Sequence, residues 1–265
     1  MGELHWETKL SDTSEDGIRI RGYDLAQLIG TVPFPSVLYL LFTGELPKPD
    51  VAKLIDAIMV ASIDHGPGAP SVLAARTAAS GGASLGPAAA AGLLTMGKYH
   101  GAAVQDAMEA IQRVAELANR DEGGAEALRR SADAVVAEWR QAHRRLSGFG
   151  HRQHKHEDPR LARLFALARE AKVSGRYLES AYAIENALKR STGKTFPINI
   201  DGATAAILCE IGFPAGLSNG LFMVARITGI LAHANEEIQE MQPMRRIDPV
   251  DHGYAGPANR DFPVP

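Results

Sequence analysis

The sequence predicts an all-α protein. Apolar residues recur at three- and four-residue spacing over most of the 265 residues, and Gly or Pro punctuates the ends of those runs. The exception is Gly17-Ile18-Arg19-Ile20-Arg21-Gly22-Tyr23, which alternates like one short strand.

Residues 1–16 are polar and read as irregular. After the strand, Asp24 is a plausible N-cap for Leu25-Ala26-Gln27-Leu28-Ile29. Pro35-Ser36 leads into a run from Val37 to Phe42, which Gly44 and Pro47 stop. Residues 50–63 carry an apolar stripe at Val51, Leu54, Ile55, Ile58 and Met59, and Asp64-His65-Gly66-Pro67-Gly68 breaks it. Residues 74–91 are rich in Ala and Gly, small enough for close backbone packing, and are expected to form buried central helices. From Ala103 the texture becomes more polar: amphipathic helices are expected over 103–119, 124–146, 158–171 and 175–190. After Phe196-Pro197-Ile198-Asn199-Ile200-Asp201-Gly202, apolar helices return at 203–212 and 217–236. The tail, with Pro257, Pro263 and Pro265, is too rich in Pro and Gly to be helical. This change of texture predicts a large helical domain from 1–102 and 200–265, with a smaller helical domain, 103–199, inserted in it.

Composition removes several function classes. A net charge of −3 offers no global basic field, so nucleic acid is not an expected partner. Cys209 is the single cysteine, which excludes an intrachain disulfide, and its apolar setting suits a buried small hydrophobe. Met1 to Trp6 lacks the basic and apolar regions of a signal peptide, and no uncharged apolar window of membrane-spanning length is found. The cytoplasm is the expected location, with no membrane partner.

The densest chemistry lies at Gly148-Phe149-Gly150-His151-Arg152. Two glycines allow a tight turn and close approach of a ligand, and a histidine titrating near neutrality follows amid Arg152, Lys155 and Arg160. His100 before Gly101 and Asp201 before Gly202 also stand at breaks between apolar runs, where helix ends can hold acid–base groups beside open space. By itself each histidine equally suits a hydrogen-bonded structural role, and Asp201 an N-cap. Arg226, within an apolar helix, needs a carboxylate partner from the protein or a ligand. His151, His154 and His156 have spacing that permits a metal, but no neighbouring residues complete a ligand set, so no metal is expected.

Taken together these segments resemble the citrate synthase family. Gly148 to Arg152 with Asp158-Pro159-Arg160 is similar to its GFGHR…DPR signature, Asn199-Ile200-Asp201 to its N-[VI]-D motif, and His100-Gly101-Ala102-Ala103 to its H-G-[GA]-A segment. Phe222 to Arg226 with Ala232-His233 and Glu236 resembles its arginine-bearing helix. Arg21-Gly22-Tyr23 and Gly44-Glu45-Leu46-Pro47 match its R-G-Y and G-E-L-P. Asp64-His65-Gly66-Pro67 departs from the synthases' D-H-E-x-N and is similar to the D-H-G-P of citryl-CoA lyases and of the C-terminal lyase module of ATP-citrate lyase. His100 is of the synthase type.

The resemblance implies a fold, a reaction and a site. The fold would be the family's large and small helical domains, assembled as a homodimer. The reaction would be cleavage of citryl-CoA, or a close 3-hydroxy-3-carboxyacyl-CoA, to acetyl-CoA and oxaloacetate. Implied catalytic residues are His100, His151 and Asp201. His65, Arg160, Arg226 and Arg246 would bind substrate carboxylates, Arg246 from a second subunit. Gly148, Phe149, Gly150 and Arg152 would bind coenzyme A, which enters as part of the substrate, with no permanently bound cofactor. A short condensing enzyme and a non-catalytic subunit that binds CoA thioesters are the competing readings. A G-x-x-x-x-G-K loop is absent, so ATP use is not expected.

Overall fold

A computed structural model describes residues 6–15, 17–121, 123–150 and 158–262. Eleven α-helices account for most of these residues, joined by a small antiparallel sheet near the amino terminus. The sheet's three strands are β1 (Ser11–Ser14), β2 (Gly17–Ile20) and β3 (Tyr23–Asp24). β1 falls in the stretch expected to be irregular. Its side chains are exposed, so it carries no alternating apolar pattern to read, and pairing with β2 from Ser11↔Ile20 to Ser14↔Gly17 creates it. Arg21 and Gly22 both take positive φ, which turns β2 into β3.

The helices follow as α1 (Leu25–Leu28), α2 (Phe34–Thr43), α3 (Pro49–Ser62), α4 (Pro70–Ser80), α5 (Leu85–Leu94), α6 (Ala103–Arg120), α7 (Gly124–Gln141), α8 (Pro159–Glu170), α9 (Arg176–Thr192), α10 (Ile200–Glu210) and α11 (Ala215–Glu240). A short 3-10 turn, Pro249–Asp251, interrupts the otherwise irregular tail. α7 stops five residues before its expected end. Its last turn closes through Arg144 N–H donating to Trp139 O at 2.9 Å, with His143 in the left-handed region. The Ala-rich segment forms two helices buried on one face only. Ala75, Ala79, Ala88 and Ala89 pack on Ile230 and Ala234 of α11, whereas Leu73 and Leu94 are exposed.

A larger apolar cluster runs from Leu38 and Ile55 through Val136 and Leu164 to Ile207 and Leu221. Packing is thus continuous across residues 102 and 199, the two expected domain boundaries. α11 is long and apolar enough to cross a membrane by length and composition alone, although each stretch of that length in it includes the charged Arg226. It lies against α3, α4, α5 and α6, and Arg226 is buried within it.

Candidate active site

Five segments meet around the middle of α11. The first is the start of α10. Its N-cap is Asn199, whose side-chain oxygen accepts from the N–H groups of Asp201, at 3.0 Å, and Gly202, at 3.2 Å. Asp201 is therefore not the cap, and its carboxyl is left for other work. Burial raises that carboxyl's pKa above the ordinary aspartate value. Arg160 and Arg226 pull against the shift, and Asp158 adds to it.

The second segment, residues 148–150, is tied to the first. Asn199 N–H donates to Gly148 O at 3.0 Å, Gly150 N–H to Pro197 O at 2.7 Å, and the Asn199 amide to Gly150 O at 2.8 Å. Gly148 has φ +87°, and a Cβ there would lie 2.8 Å from Gly202 Cα. Phe149 is buried in the larger cluster. These bonds, through Gly148 O and the N–H and O of Gly150, hold the loop onto α10. Two expected site residues, His151 and Arg152, lie outside the described residues, as do His154 and His156. Among the described residues no cluster of metal-ligating side chains forms.

Arg160 opens the third segment. Asp158 caps α8, accepting the Arg160 N–H at 3.0 Å, and the same buried carboxylate takes the guanidinium through Nε at 3.0 Å and Nη2 at 2.8 Å. Arg160 Nη1 donates to Ala61 O at 3.2 Å. A substrate carboxylate there would compete with Asp158 or share the fork.

His100, in the fourth segment, is half-buried with Nε2 2.9 Å from the Oγ of buried Ser71 on α4. Burial lowers its pKa, and the positive charge of Arg226 and of His65 lowers it further, so the neutral imidazole prevails. His65, exposed in the turn after α3, is the fifth contributor and lies within electrostatic reach of His100.

Arg226 links them. It is buried, its Nε donates to Ser62 O at 2.8 Å, and its guanidinium lies 4.7 Å from the centre of the Phe222 ring. Burial lowers its pKa, Asp64 and Asp201 oppose that, and Arg160 reinforces it. Arg226 thus interacts electrostatically with both Asp201 and His100. Arg246 stands apart, exposed on the tail, with no ion pair or hydrogen bond to this cluster among the described residues. Sequence reasoning assigned no task to Asn199, Asp64 and Ser71. An Asn two residues before a carboxylate at a helix start is an N-cap signal that could have found Asn199; the other two depend on long-range packing.

A mostly helical fold that gathers a carboxyl of raised proton affinity, an imidazole of lowered proton affinity, the buried Arg226 and the partly buried Arg160 has the groups that acid–base chemistry on an anionic ligand needs. The description "Citrate synthase, C-terminal domain" matches residues 47–247, and the chain belongs to the citrate synthase family. It is similar to the citryl-CoA lyase of Hydrogenobacter thermophilus, at 36% identity and a TM-score of 0.86, covering 97% of each chain. The fold is also that of ATP citrate lyase from Methanothrix soehngenii, solved with citrate and coenzyme A, at 24% identity and a TM-score of 0.82 over 97% of this chain and 43% of that one. The citrate synthase of Synechocystis sp. is 27% identical over 82% of this chain and 53% of its own length. The chain spans about half the length of the curated relatives it matches.

Proposed function

We propose that this chain cleaves citryl-CoA, or a close 3-hydroxy-3-carboxyacyl-CoA, to acetyl-CoA and oxaloacetate by a retro-Claisen reaction. The observation that carries this reading is Arg226 interacting with both Asp201 and His100, so that residues far apart along the chain share one charged environment with it. Likeness to the Hydrogenobacter citryl-CoA lyase over nearly all of both chains supports the cleavage direction.

His151, assigned by its motif, takes the proton of the tertiary hydroxyl. The bond between that carbon and the acetyl methylene then breaks, leaving the ketone of oxaloacetate and an enolate on the thioester. His100, kept neutral, donates a hydrogen bond to the thioester oxygen as enolate charge develops. Asp201, whose proton affinity burial raises, delivers a proton to the enolate carbon. The two proton transfers leave the reaction without net proton uptake. Arg226, Arg160 and His65 receive substrate carboxylates, with Arg246 supplied by a second subunit of a homodimer. Coenzyme A enters as part of the substrate, and Gly148, Phe149, Gly150 and Arg152 are the residues assigned to it. The cytoplasm is the proposed location.

The test supplies citryl-CoA and follows oxaloacetate with coupled malate dehydrogenase, then offers acetyl-CoA with oxaloacetate. Preferred cleavage upholds the proposal. Preferred condensation supports the second reading, a short condensing enzyme, which the synthase-type His100 favours. CoA-thioester binding without turnover in either direction makes the chain a binding subunit. Asp201→Asn should lower kcat by at least about a hundredfold, the lower end of a general acid's contribution. Survival within about tenfold means that Asp201 is not the general acid.

A further inference from the structure

The turn that carries His65 is gripped by one stripe of α11. Positions 226, 229 and 233 are separated by three and four residues, which places them on a single helix face. Arg226 donates to Ser62 O, at the start of the turn. At Gly229 a Cβ would lie 2.6 Å from Ile63 O and 2.8 Å from Asp64 Oδ1, so only glycine admits the turn this close. One helical turn further on, His233 Nε2 lies 3.2 Å from Asp64 Oδ1 and 3.3 Å from Oδ2.

Asp64 faces both ways. Its Oδ2 accepts the Gly66 N–H at 3.0 Å, and the His65 N–H also bonds to this carboxylate. The carboxylate therefore joins α11 to the two amides that set the direction in which the chain passes through His65. On the other side of the imidazole, His233 Nδ1 is 3.9 Å from Glu236 Oε2, which lies 3.6 Å from Arg76 Nη1. His233 is thus braced from its own helix while it holds the turn. It sits one turn beyond Gly229 and two beyond Arg226, away from the electrostatic group of Asp201, Arg226 and His100.

We infer that His233, acting through Asp64, is a positioning residue that fixes the orientation of His65 for recognition of a substrate carboxylate. This rests on the functional reading above for the substrate, but not for the geometry. A positioning role for a carboxylate-binding group predicts weakened ground-state binding with the chemical step largely spared.

The experiment compares His233→Ala, His233→Gln and Asp64→Asn with the wild type in two readouts. The first is steady-state kinetics with citryl-CoA and, in reverse, with oxaloacetate at saturating acetyl-CoA. His233→Ala should raise KM for the carboxylate-bearing substrate about tenfold and change kcat less than about threefold, the scale of losing one hydrogen bond to a charged group. His233→Gln, whose amide can still donate to Asp64, should recover most of the loss. Adding His233→Ala to His65→Ala should cost nothing further, because the two act on one contact. The second readout is amide hydrogen exchange at His65 and Gly66 in the ligand-free protein, which should quicken in His233→Ala and Asp64→Asn and return in His233→Gln.

Unchanged exchange overturns the inference whatever the kinetics show. Quickened exchange with an unchanged KM also overturns it, since the turn would then move without consequence for binding. If the wild type turns over neither substrate set while exchange quickens as expected, the functional reading fails and the hold on the turn stands. Should His233→Ala not fold, Asp64→Asn against His233→Gln decides the matter by the same two readouts.

Discussion

The carboxyl of Asp201 sits in the first turn of α10 with two arginines in electrostatic reach, yet burial still raises its proton affinity above the ordinary aspartate value. For an acid whose folded pKa exceeds its unfolded one, the folded state binds more protons between the two values, so stability falls as pH rises through that window. The contribution is fully favourable below the unfolded value and is lost by the time pH has passed the folded one. Asn cannot ionise and so escapes the loss. Asp201→Asn should therefore melt higher than the wild type at pH 7. The gap should close as pH falls toward the ordinary aspartate range, where both forms are uncharged. Thermal melts of the two proteins from pH 4 to 8 check this, and equal melting temperatures at pH 7 would refute the assigned direction. Arg226 and Arg160 moderate the shift.

Two backbone segments far apart in sequence approach closely where residues 148–150 meet α10. A Cβ on Gly202 would collide with Gly148 O, lie 3.0 Å from Ile198 Cγ2 and 3.1 Å from Gly148 C. Two of those three atoms belong to the backbone and cannot rotate away, so the loop would have to lift. Gly202→Ala should lower Tm by several degrees, at roughly 2–4 °C per kcal/mol for a chain of this size, and take activity with it. A circular-dichroism melt with a turnover assay tests it, and unchanged values in both would show that the loop yields cheaply. Much of this element-level arrangement was legible in the sequence. The helical periods located α3, α6, α8, α9, α10 and α11, and the motif resemblance picked out Asp201, His100 and Arg226, which the fold then brings together. The rest was hidden for distinct physical reasons. α10 begins at Ile200, three residues before the expected start at 203, because Asn199 and not Asp201 caps it. β1 exists through pairing with β2 and buries nothing, so its sequence carries no period. The contact of Asp64 with His233 spans 169 positions, and no local propensity encodes it.

At the scale of the whole molecule, α11 joins the larger apolar cluster to the Ala-rich pair α4 and α5, and then hands the chain to a strapped tail. Glu237, buried near the end of α11, accepts from Arg76 Nε at 2.7 Å and from Arg245 through Nε at 2.8 Å and Nη2 at 2.6 Å, while Met244 N–H donates to Ser80 O at 2.7 Å. Arg245 is thereby tied to Glu237, and Arg246 beside it is left exposed, with no ion pair or hydrogen bond to the Asp201 cluster among the described residues. The same chain exposes Leu94, Tyr99, Val250, Tyr254 and Phe262, each more than four-fifths accessible. If Arg246 completes the partner's site, two inactive variants should rescue one another. In a mixed dimer of Arg246→Ala and Asp201→Asn, one site has an intact Asp201 from the first chain and an intact Arg246 from the second, and the other site lacks both. Random reassortment should then restore about a quarter of wild-type turnover, since half the dimers are mixed and each has one working site. Co-unfolding and refolding the two variants together, followed by the citryl-CoA assay, supplies the measurement. If Arg246 serves its own subunit, every site in the mixture lacks one of the two groups and activity stays at the level of the separate variants.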